Sequence, residues 1–347
     1  MKRLLMPMLM LACSSPLETP PPPPPPFDAA TADVAAGDAA PGDAGDLVTP
    51  VSTCAVPTLP DAGAISFVAR VAYGPLDLLT DATRDSSQTL DVAWPAAPGP
   101  HPLVLLIHGG GWRTGNAQYY DDDARILASL GYVAASLNYR LVGAGAPNVF
   151  PAATSDVRCA LRYLRAHAAD YDIDATRVAA VGESAGGHLS AVLAVESEVG
   201  ALDDGTCPAE LATQSVRVSV AIGYYGPYDL TRSADFAPLA SAQTSIAFVD
   251  GFLGGPMDSS PNAPLASPVA HVDPNDAPML VLHGTTDPLI PANDAPELES
   301  GLRAAGVPAT WMEVPDVGHG FPTISSAQPF VASTCTALAV LKTRLAP

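Results

Sequence analysis

Two short glycine motifs constrain this chain more than its length or composition does. Residues 108–112 read His108-Gly109-Gly110-Gly111-Trp112, and residues 182–186 read Gly182-Glu183-Ser184-Ala185-Gly186. Each follows an apolar run of strand character, Leu103–Ile107 and Arg177–Val181. At average residue usage a G-x-S-x-G pattern arises by chance about 0.1 times in a chain of this length. A His-Gly-Gly-Gly run is rarer still, so both together and in this order leave chance a poor explanation. A serine on a tight strand-to-helix turn projects its hydroxyl from the end of a sheet. A glycine run after a neighbouring strand lets backbone N–H groups close on a developing negative oxygen. The pair predicts the two halves of an acyl-transfer site.

The rest of the chain must then supply a sheet with those two strand ends side by side. From about residue 54, short apolar runs alternate with helix-like runs, the pattern of a mostly parallel α/β sheet with helices on both faces. Strands are expected at Ile65–Ala72, Gln88–Trp94, Leu103–Ile107, Tyr132–Asn138, Arg177–Val181, Arg217–Tyr224, Met279–Leu282 and Thr310–Val314. Helices are expected at Tyr119–Leu130, Pro151–Ala168, Gly186–Val195, Ala292–Ala305 and Thr334–Leu345. In the second of these, Val157, Ala160, Leu161 and Leu164 share one face. Residues 225–278 are rich in Pro, Ser, Ala and Asp, with Phe236, Phe248 and Phe252 spread along them. They read as a short insertion over the site, too small for a separate domain.

A serine hydroxyl is a poor nucleophile until a base takes its proton. On a sheet of this kind the acid and base follow the serine in the order Asp or Glu, then His. Asp287 comes just past the strand Met279–Leu282, and His319 lies in the loop after Thr310–Val314. Their separation, 319 − 287 = 32 residues, leaves room for one helix and one strand. Ser184, Asp287 and His319 are therefore the expected catalytic set, with Gly109, Gly110 and Ala185 as oxyanion donors and Gly111 next in line. Asp316 and His283 are the competing acid and base. His188 is expected to pack or hydrogen-bond, and His108 to brace the glycine loop. Trp112 and Glu183 are the pocket candidates. Trp112 either lines the acyl pocket or simply packs, and the Glu183 side chain is expected to point away and tune local electrostatics. No Cys/His set has zinc spacing and no phosphate loop occurs, so no metal or cofactor is implied.

The first 53 residues read differently. Lys2 and Arg3 precede the apolar run Leu4–Ala12, too short to span a bilayer but shaped like a secretory signal. It ends at Met10-Leu11-Ala12-Cys13, which resembles a bacterial lipobox with Cys13 as the lipid attachment site; a plain signal peptide is the alternative. Residues 13–53 contain the proline run Pro20–Pro26 and then Ala, Asp and Gly, and no Lys or Arg occurs between Arg3 and Arg70. Such a stretch is expected to be an extended, unpacked linker that holds a domain off a membrane. About 290 residues remain, enough for one sizeable core. The net charge of −20 excludes nucleic-acid binding by a basic face and offers no polybasic membrane patch. Membrane contact is expected only through the lipid, on an exported protein. Besides Cys13 there are Cys54, Cys159, Cys207 and Cys335, which allow three pairings. Cys159–Cys207 and Cys54–Cys335 are favoured, with buried free thiols as the alternative.

From Leu103 to Phe321 the chain resembles the α/β-hydrolase fold, and within it the carboxylesterases of the BD-FAE and hormone-sensitive-lipase-like groups. Besides the two glycine motifs, the resemblance rests on Asn138-Tyr139-Arg140-Leu141, on Phe150-Pro151-Ala152 with Asp156-Val157, and on Ser184-Ala185-Gly186-Gly187-His188. Asn138 departs from the Asp that many relatives carry before Tyr-Arg. The resemblance implies the same Ser184, Asp287 and His319 triad. It also implies hydrolysis of short acyl esters, aryl esters such as feruloyl groups, acetylated sugars or, in some branches, formyl amides. A serine peptidase or amidase on the same fold and a non-catalytic, surface-anchored binding module are the rival readings.

Overall fold

The structure is a computed structural model that describes residues 44–55, 57–60, 63–74, 88–143, 148–195, 200–321 and 330–346. The expected signal segment, Cys13 and most of the expected linker lie outside the described residues. Eight strands among those described form one sheet: β1 Ile65–Ala72, β2 Thr89–Pro95, β3 His101–Ile107, β4 Val133–Leu137, β5 Ile173–Glu183, β6 Val220–Tyr224, β7 Met279–Gly284 and β8 Ala309–Val314. Their order across the sheet is β1-β2-β4-β3-β5-β6-β7-β8. β2 runs antiparallel to both β1 and β4, and every other pair is parallel. The helices are α1 Asp121–Ser129, α2 Ala152–Ala166, α3 Ala185–Val195, α4 Ser233–Phe236, α5 Ala242–Leu253, α6 Asn262–Leu265, α7 Asp294–Ala304 and α8 Val331–Leu345. This is the α/β-hydrolase fold expected from the sequence.

The central strands are buried on both faces, which is why they read as unbroken apolar runs instead of alternating ones. In β3, Leu103, Leu105 and Ile107 join one core, with α2, α3 and α7, while Val104 and Leu106 join the other, with α1 and α8. That split follows the two-residue period of a strand. α3 is buried all round, as its small and apolar residues require. The expected face of α2 is buried as well.

Boundaries moved where local chemistry overrode pattern. The helix expected from Tyr119 begins at Asp121, preceded by a 3-10 turn over Ala117–Tyr120. Three consecutive acids, Asp121 to Asp123, favour the positive end of a helix dipole there. β5 starts earlier than expected because His101 and Pro102 of β3 pair with Ile173 and Asp174. The expected linker also ends too late. Leu47 is buried, Val48 N donates to Thr310 Oγ1 at 3.2 Å and Val51 N to Thr336 Oγ1 at 2.9 Å. Apolar Leu47 and Val48 give this stretch something to bury, so it is held to the domain at Leu47, Val48 and Val51.

Cys54–Cys335 and Cys159–Cys207 are disulfides, with Cα separations of 5.6 and 5.5 Å. The first ties the N-terminal segment to α8, and the second ties α2 to the loop after α3. Such bonds form and persist in periplasmic or extracellular compartments, which fits an exported protein. Among the described residues no helix is long and apolar enough to cross a membrane.

Candidate active site

The turn between β5 and α3 carries Ser184 with φ +53°, a left-handed backbone that a non-glycine residue adopts only under constraint. Neighbouring backbone supplies that constraint. Ser184 N donates to Tyr224 O at 2.8 Å, and His188 N donates to Ser184 O at 3.0 Å. The flanking glycines are steric necessities: a Cβ on Gly186 would collide with the Ile107 carbonyl, and one on Gly182 with the Gly186 carbonyl. Ala185 opens α3, so its N–H has no intrahelical acceptor and stands at the positive end of the helix.

Asp287 follows β7, and two backbone amides fix its carboxylate: Leu289 N at 2.8 Å and Ile290 N at 3.0 Å, both donating to Oδ1. Oδ2 accepts from His319 Nδ1 at 2.8 Å. A carboxylate can only accept, so Nδ1 carries the proton and Nε2 presents a lone pair. That Nε2 lies 2.9 Å from Ser184 Oγ. Burial pushes the Asp287 carboxyl up, but the imidazoles of His283 and His319 and the Leu289 amide outweigh it and hold the group well below the usual carboxylate range. The Ser184, His319 and Asp287 side chains thus form one continuous hydrogen-bonded chain, brought together from three strand ends.

The glycine loop after β3 closes on this chain from the other side. A Cβ on Gly109 would lie 3.2 Å from Ser184 Cβ and 3.0 Å from Glu183 O. The loop is braced from behind. Tyr139 Oη donates to His108 O at 3.0 Å, and the two rings stack at 4.3 Å. Asn138 uses both halves of its amide: Oδ1 accepts from Ala117 N at 2.7 Å and Nδ2 donates to Thr89 Oγ1 at 2.8 Å. Arg140 and Asp156 pair beside it, at 2.8 Å.

A cavity of about 260 Å³ opens onto Ser184 and His319, bordered by Gly109, Gly110 and Ala185. Its apolar wall is Phe248, Val249, Leu289 and Ile290. Trp112 borders it too, though it is buried and stacked on Phe252 at 4.4 Å, so it both packs and lines. Glu183 corrects an expectation. It does not point away; it borders the cavity while buried, with Tyr225 Oη 2.6 Å from its Oε2. The strand end leaves it no solvent to point into.

The competing residues fall elsewhere. Asp316 is exposed. His283 is buried with Nε2 3.3 Å from Asp287 Oδ2, and it does not border the cavity. His188 Nε2 bonds to Ala266 O at 2.7 Å and serves packing. Sequence reasoning did not single out Tyr225, Leu289, Ile290 or Val249. Tyr225 had a usable signal, standing one residue past β6, which flanks the strand that leads into Ser184.

A family model, BD-FAE, matches residues 90–302. The chain is 32% identical over 241 residues to the probable carboxylic ester hydrolase LipM of Mycobacterium tuberculosis, covering 66% of this chain and 52% of LipM. It therefore spans about half the length of LipM. It is also 32% identical over 262 residues to the carboxylesterase NlhH of the same species, covering 73% of this chain and 77% of NlhH. In fold it is similar to a truncated carbohydrate esterase from gut microbiota, at a TM-score of 0.63 and 24% identity, covering 82% of this chain and 95% of that one. The chain belongs to the BD-FAE family and has the α/β-hydrolase fold.

Proposed function

We propose that the protein is a serine carboxylic-ester hydrolase for short-chain or aryl esters, with Ser184 as nucleophile, His319 as general base and acid, and Asp287 as the group that orients His319. Ser184 Oγ attacks the ester carbonyl as its proton passes to His319 Nε2. The N–H groups of Gly109, Gly110 and Ala185 receive the oxyanion. The intermediate collapses, and the same proton goes from Nε2 to the departing alcohol oxygen. Water then attacks the acyl-serine, gives a proton to Nε2, and the acid leaves with the Ser184 hydroxyl restored.

The observation that carries this reading is the unbroken chain from Asp287 Oδ2 through His319 to Ser184 Oγ, with links of 2.8 and 2.9 Å, at the mouth of an apolar cavity. The cavity is at the small end for ligand sites, which supports small acyl groups. A p-nitrophenyl ester series from acetate to decanoate tests it beside Ser184→Ala. Turnover is expected to peak at acetate or butyrate and to fall about 10⁴- to 10⁶-fold in the variant. Equal turnover in both proteins removes Ser184 from the nucleophile role.

Two finer elements belong to the same proposal. The alcohol side is a carbohydrate carrying acetyl or feruloyl groups, and release of acetate or ferulate from such glycans is the check. Cys13 carries a lipid that anchors the domain, and loss of detergent-phase partition in Cys13→Ser is its measurement.

A further inference from the structure

The hydrogen bonds around Tyr225 do not balance if every acid near the site is ionised. Tyr225 Oη lies 2.6 Å from Glu183 Oε2 and 2.7 Å from the Phe321 carbonyl oxygen. Both neighbours are acceptors when Glu183 is a carboxylate, and a phenol has one proton. If that proton goes to Glu183, two lone-pair oxygens face each other at 2.7 Å with nothing between them. If it goes to Phe321, the same conflict arises at Glu183. The conflict disappears if Glu183 brings a proton of its own.

We propose that Glu183 is a positioning residue: a neutral carboxylic acid in the resting enzyme, it donates to Tyr225, whose hydroxyl donates to the Phe321 carbonyl and so fixes the His319 loop over Ser184. The chain ends two residues from His319, and the Tyr225 ring meets the His319 ring at 4.7 Å. The role rests on the reading of Ser184 and His319 as nucleophile and base.

The surroundings favour the neutral form. Burial, the largest cause, pushes the Glu183 carboxyl up and Asp123 on α1 pushes the same way, against the hydrogen bond from Tyr119 and the nearby His319; a phenol proton from Tyr225 would lower it too, but that proton is directed to Phe321. Among the described residues, Tyr120 beside Tyr119, Tyr139 beyond β4 and Tyr224 at the end of β6 are further titratable groups that interact with it. Among the described residues, no lysine or arginine is one of the largest influences on it. Asp287 is driven in the opposite direction. Two carboxyl groups flanking one serine are thereby separated into an ionised orienter and a protonated donor.

Infrared difference spectra of the whole protein, wild type minus Glu183→Gln at neutral pH, test the protonation directly. A carbonyl stretch of a protonated carboxyl group is expected in the wild type and absent from the variant. Absence of that band from the difference spectrum overturns the proposal, whether or not the protein hydrolyses esters. The pH–rate profile tests the role. Glutamine keeps the donor and the neutrality, so the acid limb of kcat/KM stays where the wild type has it and kcat falls by no more than about threefold. Glu183→Ala and Tyr225→Phe break the chain and lower kcat about tenfold. An acid limb displaced to lower pH in Glu183→Gln, with a loss as large as in Glu183→Ala, means an anion was removed from beside His319 and overturns the proposal. Full activity in Ser184→Ala sinks the assignment of the nucleophile instead, and leaves the infrared band to judge Glu183.

Discussion

Two regions border the cavity, and they are built on different terms. One is the carboxyl end of the sheet, where β3, β5, β7 and β8 deliver Gly109, Ser184, Asp287 and His319. The other is the segment 225–278, which delivers Ser245, Phe248 and Val249 from α5. In the first region backbone fixes Ser184, Asp287 and the glycines. Ser184 is bonded at its N–H and its carbonyl, Asp287 is held by two amides, and glycines stand where a Cβ would strike main chain. In the second, α5 meets the cavity through Ser245, Phe248 and Val249, and Phe252 behind them stacks on Trp112 and meets the Phe150 ring. Side chains repack more readily than a backbone ladder yields. On the proposed function, reaction chemistry falls to the sheet edge and substrate choice to the wall, and the two should respond differently to substitution.

The largest difference is expected at the edge. In Gly109→Ala the new Cβ sits 3.0 Å from Glu183 O and 3.2 Å from Ser184 Cβ. Neither atom is the end of a flexible side chain, so Ser184 or the glycine loop, the proposed nucleophile and oxyanion donors, must shift by a few tenths of an ångström. A misaligned oxyanion donor costs about 10²- to 10³-fold in kcat. KM for p-nitrophenyl butyrate and the melting temperature should change little by comparison. A variant with normal kcat would mean that the edge tolerates displacement as the wall does.

This contrast also explains what was legible in the sequence. The edge was legible because steric demands leave signatures: Gly182 and Gly186 around Ser184, the run at 109–111, and the strand-end placement of Asp287 and His319. The disulfide pairing was legible for a related reason, since Cys159 and Cys207 flank the nucleophile unit and Cys54 and Cys335 lie towards its ends. The wall left no such signature. Phe248 borders the cavity while Phe236 and Phe252 are buried, and the composition of 225–278 does not separate them. Leu289 and Ile290 read as ordinary apolar residues after Asp287. Glu183 was misread because its neighbour sets the turn, while its own direction depends on Tyr225, forty-two positions away. Leu47 and Val48 were hidden inside an Ala, Asp and Gly-rich stretch whose average composition signals a linker.

The two regions meet at His188, which sharpens the comparison through pH. Its Nε2 donates to Ala266 O at 2.7 Å, joining α3 to the wall segment. Nδ1 is buried without a hydrogen-bond partner, so a second proton would be stranded there. Burial lowers this group to about 4, against about 6.5 in an unfolded chain. Between those values the unfolded state binds more protons, so stability rises with pH. The contribution is fully present above about pH 6.5 and is lost as pH falls towards 4, to the extent of about 3 kcal/mol. Urea midpoints measured between pH 7 and pH 4 should fall in the wild type. In His188→Gln, which keeps a donor for Ala266 but does not titrate, that fall should flatten. An equally steep fall in the variant would move the acid sensitivity to other groups.

The smallest effect should be the most selective. Phe248 stands over the glycine loop, where a Cβ on Gly111 would lie 2.9 Å from its ring, and the Arg113 guanidinium lies 6.0 Å from the ring centroid. Its ring closes the cavity without touching the backbone that holds Ser184, so Phe248→Ala should leave the edge intact and lengthen the space for an acyl chain. Each accommodated methylene in an apolar pocket is worth about 1–3 kcal/mol of discrimination. The expected result is a ratio of kcat/KM for octanoate over acetate that rises about tenfold, while kcat for acetate falls less. An unchanged ratio with a uniform loss would show that this part of the wall supports the loop and does not read the acyl group. Substrate choice would then have to come from Leu289 and Ile290, which follow Asp287 directly, and chemistry and specificity would share the sheet edge after all.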